Sequence, residues 1–200
     1  MVQTETIFTT LRLARSLSAS QGRALRAAQL DAWQQLRAQL SADPSAEELG
    51  AAQRRAQKQF FALFDAALDR PTVGPAWFSD YEPMAETLAG EIMMLEESGF
   101  VVPAFAILPN HAHVVVHRPA QNRLSLSKAL ELLHLRTGQL CRRFVRPKLP
   151  PEADFWQTGS YDYLVHDEDE LRRLVAYVRG NSAKAGLPPQ FQQWPYVKEE

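Results

Sequence analysis

The segment Pro109-Asn110-His111-Ala112-His113-Val114-Val115-Val116 constrains this chain more than any other. A proline–asparagine pair favours a tight turn, and the β-branched run behind it favours a strand. Side chains alternate faces along a strand, so His111 and His113 share one face while Ala112, Val114 and Val116 point into apolar packing on the other. Two imidazoles side by side can form half of a divalent-metal site or serve catalysis. The plain alternative is an ordinary strand that happens to carry two histidines. The chain has only 5 histidines, and two of them at this spacing at the start of a strand favour a site.

Composition narrows the class. At 200 residues, 46% hydrophobic and 22% charged, the chain can build one good core, or a compact domain with an elaboration. A formal net charge of -1 argues against a generally basic nucleic-acid coat but leaves room for local basic patches. The lone cysteine, Cys141, precludes an intrachain disulfide and fits a reducing compartment. It falls in an amphipathic helical pattern and reads as a small core residue, not a nucleophile. No apolar run approaches the roughly 20 residues a membrane helix needs. The opening Met-Val-Gln-Thr-Glu-Thr lacks the basic start and apolar centre of a signal peptide. The expectation is a cytoplasmic protein with no membrane partner.

Taken in order, Thr6–Ala14 is β-branched and apolar and predicts a strand. After a polar break, residues 21–40 carry Leu25, Leu30, Trp33 and Leu36 at helical spacing, and Asp43-Pro44-Ser45 breaks that helix. A second helix follows to about Leu68, with Phe60, Phe61, Phe64 and Leu68 as a core-type stripe. Residues 21–68 thus predict a helical hairpin inserted after the first strand, and Asp69–Phe78 a proline-containing connector. Ser79 with Glu82 forms a capping-box pattern ahead of a helix over Asp80–Glu97, which Gly99 ends. Phe100–Leu108 and His111–His117 predict a hairpin turned at Pro109-Asn110. A helix opening at Ser125 or Ser127 runs to about Arg146, with Leu130, Leu133, Leu140 and Phe144 as its apolar side; Lys148–Asp154 is a proline-broken loop. Phe155–Val165 holds a turn and a last strand, and Asp167–Gly180 an acid-started helix. Residues 188–200 form a tail whose Trp194-Pro195-Tyr196 packs back on the core. This order predicts a single domain over 1–200 of α+β class: a ferredoxin-like antiparallel sheet with helices packed on one face, plus the inserted hairpin.

The last helix supplies a second pair. Tyr177 and Asn181 are four residues apart and share a helical face. Tyr177 offers a phenolic nucleophile and Asn181 a carbonyl oxygen for a hard divalent cation. With His111 and His113 this assembles two imidazoles and an amide beside a tyrosine, a set suited to polarising a phosphodiester while the phenol attacks. Tyr161 and Tyr163 are rival nucleophiles, but Val165 and Asp167, four positions beyond them, offer no comparable metal ligand.

Three blocks resemble a known family. Ala106-Ile107-Leu108-Pro109-Asn110-His111-Ala112-His113-Val114-Val115-Val116 is similar to the histidine–hydrophobe–histidine signature of the single-tyrosine HUH transposases, closest to the REP-associated tyrosine transposases. Phe155-Trp156-Gln157 with Tyr161-Asp162 resembles that branch's tryptophan–glutamine block, and Tyr177–Leu187 its tyrosine-bearing C-terminal motif. Ile7–Ala14 and Gly74–Phe78 also resemble segments of that group, whereas residues 21–68 match least specifically. The resemblance implies His111, His113 and Asn181 as metal ligands, Tyr177 as the nucleophile with the two histidines as its catalytic partners, and Mg2+ or Mn2+ as cofactor. It implies cutting and rejoining of single-stranded DNA at hairpin-forming repeats through a 5'-phosphotyrosine. The chain departs from the family pattern at Ser182, where proline is usual, at His166, where arginine is common, and at Gly159, where an acidic residue is frequent.

Candidate DNA contacts are Lys128, Arg136, Arg142, Arg143 and Arg146 of the basic helix, Trp156 as a stacking surface, and Lys184 in the C-terminal block. The same features allow a second reading, a domesticated protein that binds folded single strands without cutting them. A third, a nucleotide-acting histidine-triad enzyme, wants a histidine at position 115, where valine stands; His117 is one step too far along. A homodimer is compatible with the main reading, with the tyrosine acting in its own chain or in its partner's site.

Overall fold

The computed structural model describes residues 4–69, 74–146 and 148–198. The chain divides into two compact units, one of Met1–Arg15 with Pro75–Glu200 and one of Ser16–Gly74. The predicted connector over Asp69–Phe78 includes residues 70–73, which lie outside the described residues, as does Pro147 in the basic segment. Among the described residues, no helix is long and apolar enough to cross a membrane.

The larger unit is built on four antiparallel strands, β1 (Glu5–Arg12), β2 (Val101–Leu108), β3 (His111–Arg118) and β4 (Tyr161–Leu164), in the order β2-β3-β1-β4. With a helical crossover before β2 and another before β4, this is the ferredoxin-like order, and the α+β expectation holds. β3 is central because it can be: His111 through Val116 are all buried. The register sets Thr10 opposite His113, Phe8 opposite Val115 and Thr6 opposite His117. Ala106 flanks His113 on β2, and Tyr161 and Tyr163 flank Thr10 and Phe8 on β4. Alternation then gives one face lined by the histidines and another lined by Leu11, Phe105, Ile107, Ala112 and Val114.

The first crossover contains a short α3 (Trp77–Asp80) and α4 (Glu82–Glu97); the second is α5 (Leu126–Cys141). Met84, Leu88 and Ile92 form the wholly buried stripe of α4, each contributing about 1.5–3 kcal/mol of burial. The Ser79–Glu82 capping box does not form. Ser79 Oγ instead donates to the Ala76 carbonyl, closing a separate turn, and α4 starts afresh at Glu82 with Pro83 in its first turn. Gly99, at φ +83°, ends the helix as expected. α5 starts under the Ser125 cap and stops at Cys141, short of Arg146, passing into a 3-10 turn over Arg142–Phe144. It packs with α4 on the sheet face away from the histidines, where His134 lies within electrostatic reach of Asp162, the partner of Thr9 Oγ1 at 2.6 Å.

The last helix, α6 (Glu168–Lys184), continues a turn beyond the expected Gly180 and so carries Asn181 within its helical frame. Asp167 caps it by accepting from the Glu170 amide. The tail returns to the sheet: Val197 bridges Ala106, the Ile107 amide donates to the Tyr196 carbonyl at 2.6 Å, and Lys198 meets Glu96 at 2.7 Å.

The smaller unit is a helical pair, α1 (Ala19–Ala38) packed on α2 (Ala46–Asp69). Each helix begins with a reciprocal capping box, Ser18 with Gln21 and Ser45 with Glu48. Phe60 and Phe64 stack on one side of α2, with centroids 5.8 Å apart.

Candidate metal and nucleophile site

The strand pleat places the two imidazoles together, and their neighbours orient them. Asn110 Oδ1 sits 2.6 Å from His111 Nδ1, and Thr10 Oγ1 sits 2.8 Å from His113 Nδ1. Both Nε2 atoms are therefore turned toward each other, 3.2 Å apart, with the rings at 75°. Two nitrogens bound at about 2.1 Å to one octahedral cation and at right angles to each other would be about 3.0 Å apart. The observed separation is that of two ligands converging on one point. Both side chains are almost wholly buried, and they belong to a group able to hold a metal ion.

α6 crosses this face, so helices cover both faces of the sheet and not the one face expected. At its start Glu170 accepts from Tyr163 Oη at 2.7 Å and from the His166 amide at 3.0 Å, pinning the helix over β4. Two turns on, the Tyr177 ring lies 6.3 Å from Phe8 and 5.9 Å from His113, centroid to centroid. One further turn brings Asn181, wholly buried, with neither amide atom hydrogen-bonded among the described residues. An orphaned buried amide costs about 1–3 kcal/mol per group. A metal ion is one partner that satisfies such a carbonyl, and an amide oxygen with imidazole nitrogens is donor chemistry that suits a hard or borderline divalent cation. Lys184 Nζ stands 5.0 Å over the Tyr177 ring.

The rival tyrosines are differently placed. Tyr163 is buried and its hydroxyl is committed to Glu170. Burial pushes the Tyr161 phenol above its ordinary pKa, which disfavours the phenoxide.

The remaining sequence-predicted residues lie on other elements. Lys128 pairs with Glu131 at 2.9 Å and Arg136 with Glu91 at 2.9 Å. Arg142 donates to the carbonyls of Ala153 and Pro150, both at 2.6 Å, and to that of Pro151, holding the loop before β4. Arg143 and Arg146 are exposed. Trp156 is buried against Phe78, with its indole N–H donated to Thr137 Oγ1 at 2.9 Å, so its ring packs inward and is not offered for stacking. Cys141 is buried beneath α4, and burial pushes its thiol up to about 12.

Two residues with a part in this geometry had no assignment from sequence, Thr10 and Arg12. Thr10 faces His113 and Arg12 faces His111 across the β1–β3 register. A strand register was the signal needed, and a single sequence does not print one.

Fold and site together define an α+β protein whose sheet carries a metal-capable histidine pair beneath a tyrosine-bearing helix. A curated relative from Haemophilus influenzae, named "Putative REP-associated tyrosine transposase", is 28% identical over 108 residues, covering 50% of this chain and 60% of the relative. The match thus spans less than two thirds of that relative's length. A solved structure described as a REP-associated tyrosine transposase bound to a REP hairpin is similar at a TM-score of 0.42 and 16% identity, covering 98% of this chain and 76% of that one. No protein-family model matches. The resemblance carried by the histidine, tryptophan–glutamine and tyrosine blocks is therefore to the same group of proteins that supplies the curated relative.

Proposed function

We propose that this chain is a metal-dependent single-stranded DNA endonuclease and strand transferase, cytoplasmic and transposase-like, acting on hairpin-forming repeats. The observation that carries the reading is Tyr177 lying 5.9 Å from a histidine whose Nε2 converges with that of its neighbour. The name of the curated relative supports the same class.

In this reading His111, His113 and Asn181 hold Mg2+ or Mn2+, which when bound polarises the scissile phosphodiester. Tyr177 Oη attacks phosphorus, the phenolic proton is lost, and the bond from phosphorus to the 3' oxygen breaks. That oxygen takes a proton and leaves as a 3' hydroxyl, while the 5' phosphate stays on the tyrosine. Attack by another 3' hydroxyl reverses the bond exchange and joins strands. Lys184 offsets phosphate charge beside the phenol. Tyr177 lies against the histidine of its own chain, an arrangement compatible with cleavage in cis.

The test is cleavage of hairpin oligonucleotides with single-stranded flanks in Mn2+, comparing wild type with Tyr177→Phe. Wild type should cut and the variant should not. Binding without cutting by the wild type in either metal would favour the non-cleaving reading instead.

A further inference from the structure

We infer that Thr10 is a positioning residue of the histidine pair: its hydroxyl fixes the His113 ring and accepts the Nδ1 proton when an ion is bound, so that Nε2 presents its lone pair toward that of His111. The inference rests on the reading that the pair holds a metal ion.

The two imidazoles are supported unequally. His111 Nδ1 faces an amide carbonyl oxygen, which only accepts, so the proton must be on Nδ1 and Nε2 is the ligand atom. His113 Nδ1 faces a hydroxyl, which can donate or accept. If Thr10 donated, His113 would carry its proton on Nε2 and could not coordinate. A bound cation therefore requires Thr10 to act as acceptor, and the hydroxyl can rotate to do so. Which nitrogen of a histidine binds metal is set by the partner of the other nitrogen, and losing such a partner costs roughly 10–100-fold in affinity. Thr10 and His113 are both wholly buried, so water does not readily take over the role. Phe8 stacks on the same ring at 5.3 Å, closing it in further.

The fold supplies its own control. Thr6 and His117 make the same hydroxyl–imidazole pair at 2.8 Å, four residues along each strand and away from the Nε2 pair. Thr9 is no substitute, because it faces the other side of the sheet and is engaged with Asp162.

The experiment is long-range 15N–1H NMR of histidine-labelled protein, with and without Mg2+, alongside Mn2+ affinity by electron paramagnetic resonance. Wild type, Thr10→Val, Thr10→Ser and Thr6→Val are compared. Mg2+-loaded wild type should show His113 protonated at Nδ1. Thr10→Val should lose about ten-fold or more in Mn2+ affinity, Thr10→Ser should recover most of it, and Thr6→Val should bind as wild type does. Wild-type affinity in Thr10→Val, or an equal loss in Thr6→Val, would overturn the inference. If the wild type binds neither ion, the metal reading fails, and the metal-free spectrum decides Thr10. A His113 Nδ1 resonance displaced by Thr10→Val but not by Thr6→Val then sustains the positioning role, and an unmoved one removes it.

Discussion

The Nε2 atoms of His111 and His113 face each other 3.2 Å apart, each ring held from behind, by Asn110 and Thr10 respectively. The two nitrogens converge on one point, where a single cation would be held by both. Removing one imbalances the site, so His113→Ala should lower Mn2+ affinity by more than the roughly 10–100-fold expected for a supporting group. Mn2+ titration followed by electron paramagnetic resonance measures it. Unchanged affinity would place the ion elsewhere.

Asn181 separates stability from function. Its amide is buried and unpartnered among the described residues, so an apolar side chain of similar volume should cost the metal-free fold nothing and can stabilise it. Asn181→Leu should therefore keep or raise the Tm of the metal-free protein while weakening the rise that Mn2+ confers on wild type. Differential scanning calorimetry with and without the ion reads both.

The Tyr163–Glu170 hydrogen bond anchors the start of the tyrosine helix. Tyr163→Phe leaves a buried carboxylate short of a donor and should cost about 1–3 kcal/mol, or about 2–4 °C in Tm per kcal/mol for a chain of this size. The variant should still form a covalent adduct with DNA, because the hydroxyl it lacks is a structural one.

Cys141 gives a chemical readout of the core. With its thiol pushed up to about 12 by burial, it should resist alkylation at pH 8 in the native protein and react at once in denaturant. Fast native labelling would mean that the α4–α5 packing opens readily.

Much of this arrangement was legible in the chain itself, where local rules decide. Strand alternation put His111 and His113 on one face, the i,i+4 rule joined Tyr177 to Asn181, and Gly99 marked a helix end. Local signals misled where other partners competed. Ser79 found the Ala76 carbonyl before it could cap α4, and Arg142 of the basic segment turned to the carbonyls of the loop before β4. Trp156 looked available for stacking, but Thr137 and Phe78 hold it inside. The supports of the site, Thr10 above all, depend on a strand register between residues 103 positions apart, which no local pattern encodes.

The most direct measurement is mass-spectrometric mapping of the covalent product formed with a hairpin oligonucleotide in Mn2+. The expected product is a nucleotide phosphate on the peptide containing Tyr177, lost in Tyr177→Phe and strongly reduced in His111→Ala. A phosphate on Tyr161 or Tyr163, or an adduct of undiminished yield without His111, would contradict it.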